Sequence, residues 1–579
     1  MAHEVVVSKA HAPVNGVVLT GGLLQRAFEN NIAYLKKLSL DSILYWFRMK
    51  AGLPAPGAPY RGHFEDDIKG QTAGLFLMGA ANSIRWVRDD DLARRVELIV
   101  DSIEAAAEPD GFFEPISKAE FGTKEYPNYV RVWLNYGLSA ASLAGNRKAL
   151  SLMRKMQSWF NVCDERFIAK HLALAFQGVI ANTTVALSEV GLPEDLETVV
   201  NHYQEDWWLG QFIREDDGAV HKRPTPHGTE LEAITAYMDM YRATGKAYYL
   251  NAVNAAYSMF QRKWQHVGGG IVAIEFTDIA PGCYWLDPIH KYNELCCSAH
   301  WLYLNQRYHH LFPDTESYVG EIEKTLYNIV VANQAGQDFI RYHAFVDIQK
   351  DCDFSTPVSC CAGLGTRILG SLPEFLYSVD SDGIFVDIYT DSEIAWRRGD
   401  KECRLSTSTS LPLGENVSIK VQVSSPTSFS MRLRVPHWVD RPVVIHLNGK
   451  ECAPGTPGSY CALERTWLSG DTVTLTLPMT VRGSRYRGSD GVAGFDRYAY
   501  ERGPLLLAFA GRLDSHGKYM EMDHDPSRPQ DWAIPVKGKP GHYTVRGKPG
   551  VELKPYYEIQ DEMFTCYPIF KLPDAPGTS

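Results

Sequence analysis

Apolar residues recur at helical spacing through roughly the first two thirds of the chain. The stretch 21–50 carries apolar side chains at intervals of three and four residues and stops before Gly52 and Pro54, which predicts a single helix. About a dozen helices, often in consecutive pairs, are typical of helix pairs wound into a closed barrel. Further helices are predicted to begin near Asp67, Asp91, Tyr129, Lys148, Ala169, Thr229, Ala247, Tyr292, Thr315 and Cys361.

The pattern changes after Ser378, where apolar and polar residues begin to alternate. Short alternating stretches separated by turn residues predict a β-sandwich. They lie at 384–389, 417–423, 428–435, 443–447 and 471–477. A further strand is expected at 505–509, before a segment rich in Gly, Pro and Lys. The pattern therefore divides the chain into a helical domain (1–378), a β-sandwich (379–480) and a C-terminal β-rich domain (481–579).

Charge, the length of apolar stretches and cysteine content disfavour several classes of protein. The 58 basic and 69 acidic residues leave a net charge of −11, which disfavours binding to nucleic acid or to an anionic membrane surface. No apolar stretch approaches the ~20 residues of a membrane span. The N-terminal residues show no basic segment followed by an apolar run, and the 11 cysteines are mostly scattered. We therefore expect a cytoplasmic protein with reduced thiols and no membrane association.

Two cysteine clusters carry the candidate chemistry. Glu294 and Cys296 flank one residue, and Cys360 is followed directly by Cys361. Three soft thiolates and one carboxylate oxygen suit tetrahedral Zn²⁺, which also deprotonates a coordinated thiol. The alternative is that the cysteines pack as small apolar residues, and Cys297 could replace Cys296 as a ligand. A disulfide between adjacent cysteines would be strained.

These clusters resemble the zinc-thiolate site of the β-L-arabinofuranosidases of glycoside hydrolase family 127. The resemblance extends over nearly the whole chain, although the sequences are divergent, and it implies an (α/α)6 catalytic barrel followed by β-sandwich domains. Its other landmarks are Asp110-Gly111-Phe112-Phe113, Gly228-Thr229-Glu230-Leu231-Glu232, Leu433-Arg434-Val435-Pro436-His437-Trp438, Leu447-Asn448-Gly449-Lys450 and Arg502-Gly503-Pro504-Leu505.

The resemblance also implies the catalytic roles. Cys360 would be a nucleophile that forms a thioglycosyl intermediate with retention at the anomeric carbon. The remaining zinc ligands would be Cys361, Cys296 and Glu294. Glu275 matches the family's general acid and base, and Asp278 and Asp287 are its rivals for that role.

Candidate sugar-binding residues are fewer. By the resemblance they are Tyr342, His227, His63 and Asp67, each of which could equally be structural. The chain departs from the family in two places: the Asn that usually follows the Cys-Cys pair is missing, and Tyr136 stands close to the place of a sugar-binding histidine. The sugar and its linkage therefore stay open.

The resulting hypothesis is a retaining exo-glycoside hydrolase that uses a zinc-bound cysteine thiolate. It would release β-L-arabinofuranose or a related sugar from small glycosides, and it could form a homodimer through its C-terminal β region. One alternative is a sugar epimerase or lyase on the same barrel, which would use acid/base groups chosen from His63, His227, Tyr342 and His343. The other is a non-catalytic carbohydrate-binding protein.

Overall fold

The structure is a computed structural model that describes residues 6–61, 68–120, 126–162, 210, 213–214, 227–271, 293–351, 358–488, 491–514 and 518–571. A helical N-terminal part is followed by a β-rich C-terminal part, in agreement with the change of pattern in the sequence. Among the described residues, no helix combines the length and the apolar character that crossing a membrane requires.

The α-helices of the described part are α1 (Gly22–Lys37), α2 (Leu40–Lys50), α3 (Gln71–Ile84), α4 (Asp90–Ala106), α5 (Tyr126–Leu143), α6 (Arg147–Asn161), α7 (His227–Thr244), α8 (Ala247–Lys263), α9 (Leu295–Leu311), α10 (Glu316–Thr325) and α11 (Cys360–Gly370). A π-helical turn, Leu326–Val331, continues α10. The predicted start near Ala169 lies outside the described residues.

The prediction of one helix over 21–50 is wrong. Leu38 adopts an extended conformation, and the side chain of Ser39 accepts a hydrogen bond from the backbone N–H of Ser42, which starts a second helix. A serine at this position satisfies one of the amide groups that a helix start leaves without a partner. The apolar spacing continues across the break, so periodicity alone did not show it.

Glycines let three buried helices approach closely. A Cβ atom on Gly74 of α3 would lie 2.3 Å from the backbone of Trp133 in α5, and one on Gly137 would lie 2.6 Å from the carbonyl oxygen of Gly74. In α11, a Cβ on Gly363 would meet Leu75 of α3 at 2.4 Å. These contacts hold α11, which carries the Cys-Cys pair, against the centre of the helical part.

The strands of the described part are β1 (Val17–Leu19), β2 (Gln334–Ala335), β3 (Phe339–Ile340), β4 (Asp347–Ile348), β5 (Tyr377–Val379), β6 (Gly383–Val386), β7 (Ser392–Arg398), β8 (Lys401–Thr409), β9 (Asn416–Val423), β10 (Thr427–Val435), β11 (Val443–Leu447), β12 (Lys450–Gly455), β13 (Ser459–Trp467), β14 (Thr472–Thr476), β15 (Val481–Arg485), β16 (Phe495–Arg502), β17 (Leu505–Ala510), β18 (Glu521–Met522), β19 (Ala533–Pro535), β20 (Tyr543–Val545), β21 (Glu552–Pro555), β22 (Phe564–Thr565) and β23 (Ile569–Lys571).

The strands assemble into three larger sheets and the β2-β3 hairpin. A seven-stranded sheet has the order β1-β7-β8-β9-β14-β11-β12, and a four-stranded sheet has the order β13-β10-β6-β5. The third sheet follows β18-β23-β16-β17-β21-β20-β19, with β15, β22 and β4 paired at its sides. Strands β1 and β4 come from the N-terminal two thirds of the chain. The seven-stranded sheet, through β1, and the third sheet, through β4, are therefore each hydrogen-bonded to a segment of the helical part.

A buried ionic cluster also joins the helical part to the four-stranded sheet. The guanidinium group of Arg434 in β10 donates to Glu316 at 2.8 Å and to Glu323 at 2.9 Å, both in α10. Trp438 donates to the same Glu323 oxygen at 2.9 Å. Although burial opposes it, the charge of Arg434 lowers the pKa of Glu316 to about 2, so this carboxylate stays ionised.

Candidate active site

The Glu294 and cysteine side chains meet because two helices begin at the same place. Glu294 is the residue before α9 and Cys296 is the second residue of that helix, while Cys360 and Cys361 open α11. Ser359 caps α11 by accepting a hydrogen bond from the N–H of Ala362 at 3.1 Å. Thiolates at helix N-termini are stabilised by the amide groups and the dipole of the helix.

A residue in the left-handed backbone conformation directs Glu294 toward the cysteines. Asn293 has φ of 62°, a conformation that asparagine tolerates better than most residues. Its backbone and side chain hold the chain around Ala344: the side-chain amide donates to the Ala344 carbonyl at 2.7 Å, and the Ala344 N–H donates to the Asn293 carbonyl at 2.9 Å. Glu294 consequently pairs with His343 in an isolated β-bridge and turns its carboxylate toward the cysteines.

The ligand atoms of Glu294, Cys296, Cys360 and Cys361 all lie within 4.8 Å of one another. The Cys296 and Cys361 sulfurs are 3.1 Å apart, and one Glu294 oxygen lies 3.5 Å from the Cys361 sulfur and 4.0 Å from that of Cys360. A tetrahedral zinc site with bonds of ~2.3 Å to sulfur and ~2.0–2.2 Å to oxygen separates its ligand atoms by about 3.6–3.8 Å. The four residues could therefore hold a metal ion after small side-chain adjustments.

The electrostatics of the cluster favour a bound cation. All four side chains are buried, with Cys361 fully shielded from solvent. Burial raises the pKa of Cys296 and of Cys361 well above the ordinary value for a thiol. Three thiols and a carboxylate in such a space cannot all ionise without a compensating positive charge, which a divalent ion supplies.

Two tyrosines face Cys360. The Tyr342 hydroxyl lies 3.6 Å from the Cys360 sulfur, and Tyr129 of α5 forms a side-chain hydrogen bond with the same sulfur. Burial and the neighbouring Cys360 raise the pKa of Tyr129, so it remains a neutral phenol. Both hydroxyl groups are thus available as hydrogen-bond donors to a thiolate at Cys360.

A second cluster of polar side chains lies further along α9 and α11, where His300 and Arg367 are joined by Glu232 from α7. Glu232 of α7 is 3% exposed, accepts a hydrogen bond from Tyr136, and has an oxygen 3.8 Å from Nε2 of His300. Arg367 of α11 lies over the rings of Tyr136 and Tyr303, at 4.3 Å from each. Burial raises the pKa of Glu232 to about 8, although the charge of Arg367 opposes the rise. Burial also lowers the pKa of His300 to about 3, so this imidazole is neutral.

The structure places only some of the predicted sugar-site residues. Tyr342 lies beside Cys360, and His227 is the first residue of α7, with its side chain outside the described part. Glu275 and its rivals Asp278 and Asp287, together with His63 and Asp67, lie outside the described residues. Sequence reasoning did not assign Glu232, Tyr129, His300 or Arg367 to the site. The sequence contained a signal for two of them, namely their spacing from the cysteines. His300 follows Cys296 by one helical turn, and Arg367 follows Cys360 by two.

Comparison with known proteins defines the class of enzyme. A profile described as the GH127 catalytic domain of β-L-arabinofuranosidase matches residues 16–374, and one described as the GH127 middle domain matches residues 383–479. The chain therefore belongs to glycoside hydrolase family 127 and is a glycoside hydrolase of the β-L-arabinofuranosidase-like type. This membership confirms the resemblance to the family and favours a glycoside hydrolase over the epimerase, lyase and non-catalytic alternatives.

Solved structures show the same fold at low sequence identity. A GH127 β-arabinofuranosidase superposes with a TM-score of 0.74 at 18% identity, covering 97% of this chain and 98% of its own. A GH127 β-L-arabinofuranosidase from Geobacillus stearothermophilus T6 gives 0.68 at 17% identity, with 96% and 100% covered. A glycoside hydrolase gives 0.68 at 16% identity, with 99% and 100% covered. No curated protein sequence matches the chain significantly.

Proposed function

We propose that the protein is a retaining exo-glycoside hydrolase in which Cys360 is the nucleophile. The observation that carries the proposal is the buried cluster of three sulfurs and one carboxylate oxygen, all within 4.8 Å, at the shared start of α9 and α11. The substrate would be a small glycoside of β-L-arabinofuranose or a related sugar, as the names of the similar proteins suggest.

The architecture that we propose follows the family. The helical part would form an (α/α)6 catalytic barrel over residues 1–378, followed by a β-sandwich over 379–480 and a β-rich domain over 481–579. The close packing of α3, α5 and α11 through glycines and the separate β sheets support this arrangement.

Zinc is the metal that best suits the four side chains, because three sulfurs and one oxygen in a small buried space match its preferred ligands. Glu294, Cys296, Cys360 and Cys361 would hold it. When bound, zinc keeps the cysteine sulfurs deprotonated at neutral pH and makes sulfur a better leaving group. Tyr342 and Tyr129 would orient the Cys360 sulfur through their hydroxyl groups.

The proposed reaction has two displacements. In the first, an electron pair of the Cys360 sulfur forms a bond to the anomeric carbon, the bond from that carbon to the leaving oxygen breaks, and a carboxylic acid protonates this oxygen. In the second, the resulting carboxylate takes a proton from water, whose oxygen attacks the anomeric carbon while the carbon–sulfur bond breaks. Two inversions give net retention. By the resemblance Glu275 would be the acid and base, with Asp278 and Asp287 as its rivals.

The direct test is hydrolysis of a panel of aryl glycosides, including a β-L-arabinofuranoside, by the wild type, Cys360→Ala and the control Cys297→Ser. Cys297 is fully buried next to a proposed ligand, but its sulfur is not part of the cluster. We expect Cys360→Ala to lose at least about a thousandfold in kcat, since removal of a nucleophile disables both displacements. Cys297→Ser should keep activity within a few fold. An active Cys360→Ala enzyme would refute the proposal.

A further inference from the structure

We propose that Glu232 binds a hydroxyl group of the sugar whose anomeric carbon reacts with Cys360. Arg367 and His300 would hold the carboxyl group of Glu232 in place. This inference rests on the proposed function and adds to it a determinant of which sugar is accepted. It concerns a buried carboxyl group that the two-displacement mechanism does not use.

The position of Glu232 follows from the geometry of the helices. His300 comes four residues after Cys296 in α9, and Arg367 comes seven residues after Cys360 in α11, so each shares a helix face with a cysteine of the cluster. At 1.5 Å per residue the steps along the axes are about 6 Å and about 10 Å. Glu232 of α7 lies 3.8 Å from His300, and it is within electrostatic reach of Arg367 and of Cys360, which act on its pKa in opposite directions.

The carboxyl group of Glu232 is only partly used by the protein. Tyr136 donates a hydrogen bond to it, and His300 lies 3.8 Å from Oε2. Oε1 is buried and finds no hydrogen-bond partner in the part of the chain that the structure describes. A buried polar atom without a partner is costly, and such atoms in proteins commonly mark a ligand that completes the bonding. A sugar hydroxyl is a suitable partner, since it donates to a carboxylate and accepts from a protonated carboxyl.

The residues around Glu232 leave it little freedom. Arg367 lies between the faces of Tyr136 and Tyr303, which fixes the guanidinium group, and its positive charge attracts the carboxylate. His300 is neutral and almost fully buried. A rigid carboxyl group discriminates well between sugars, because a substrate that lacks the matching hydroxyl leaves the group unpaired.

The test compares wild type with Glu232→Gln on an aryl β-L-arabinofuranoside and on its monodeoxy analogues. If Glu232 binds one hydroxyl, Glu232→Gln should lower kcat/KM by roughly tenfold or more for the parent glycoside and change it less than about threefold for one particular deoxy analogue. The matched control is Glu114→Gln, because Glu114 is also fully buried with a pKa raised to about 8, yet no cysteine contributes to that rise. It should leave kcat/KM unchanged.

Three outcomes would overturn the inference. An unchanged kcat/KM in Glu232→Gln, or an equal loss on every analogue, would assign Glu232 to the protein framework. A loss of kcat alone that azide restores would make it the acid and base instead. Binding of the free sugars, followed by saturation-transfer NMR, separates this inference from the proposed function. Sugar binding that Glu232→Gln weakens, in a protein that hydrolyses no glycoside, would support the inference and contradict the function.

Discussion

At the scale of single residues, the hydroxyl group of Tyr342 is a direct neighbour of the proposed nucleophile, because it lies 3.6 Å from the Cys360 sulfur. We expect Tyr342→Phe to lower kcat by about two- to tenfold, because a hydrogen bond of this kind contributes about 0.5–1.5 kcal/mol. The metal content should not change, since Tyr342 is not a member of the cluster. Loss of metal in this variant would show that the tyrosine supports the cluster rather than the reaction.

Glu114 provides a prediction about pH. Burial raises its pKa to about 8, against the opposing charges of Arg131 and Lys50, whereas an unfolded chain has a glutamate pKa of ~4.3. Between about pH 4.5 and 8 the folded state therefore keeps a proton that the unfolded state has already released, and the free energy of unfolding falls as pH rises through this window. The free energy of unfolding, measured in urea at several pH values, should fall less steeply with pH in Glu114→Gln than in the wild type. The difference should be about 1.4 kcal/mol per pH unit within this window. Parallel pH profiles would contradict this assignment.

At the scale of elements, close contact between helices positions the two cysteine-bearing helix starts. Gly74→Ala places a Cβ atom 2.3 Å from the Trp133 backbone, which no side-chain rotation relieves. We expect a loss of several kcal/mol in the free energy of unfolding or a failure to fold, because overpacking a buried interface forces backbone shifts. The control is Gly491→Ala, where a Cβ atom lies more than 4 Å from every described atom outside its own neighbours. Equal stability of the two variants in denaturant unfolding would show that α3 and α5 are less tightly packed.

The buried ion pairs between β10 and α10 lead to a second prediction about how the elements are held together. Arg434→Met leaves Glu316 and Glu323 buried without their cation, and breaking a buried pair costs about 3–5 kcal/mol. Arg404→Met, which removes a pair exposed to solvent with Glu393, should cost less than about 1 kcal/mol. Denaturant unfolding measures both. A small effect of Arg434→Met would mean that water reaches the two carboxylates.

At the scale of the whole molecule, the change from helices to strands and the two cysteine clusters were evident from the sequence. Local patterns carry this information, because apolar periodicity and residue type do not depend on distant segments. The break at Leu38 and Ser39 was missed because a cap acts without disturbing the apolar spacing. The pairing of β1 with β7 joins segments far apart in sequence, which no local pattern reports.

The candidate site likewise contains residues that the sequence alone revealed and residues that only the structure revealed. Glu294, Cys296, Cys360 and Cys361 attracted attention through their residue types and spacing alone. Glu232 did not, because its character comes from burial and from contacts with two other helices. A buried acid is distinguished from a solvated one only after the helices have been assembled, and this explains why sequence reasoning treated Glu232 as part of a helix start.

The most direct test of the account is the metal content per chain, measured by elemental analysis on the wild type, Cys361→Ser and Cys297→Ser. Cys361 is fully buried with its sulfur 3.1 Å from that of Cys296, whereas the sulfur of its control, Cys297, is not one of the clustered ligand atoms. We expect close to one zinc per chain in the wild type and in Cys297→Ser, and little or none in Cys361→Ser. Absence of metal from the wild type, or full retention of zinc by Cys361→Ser, would contradict it.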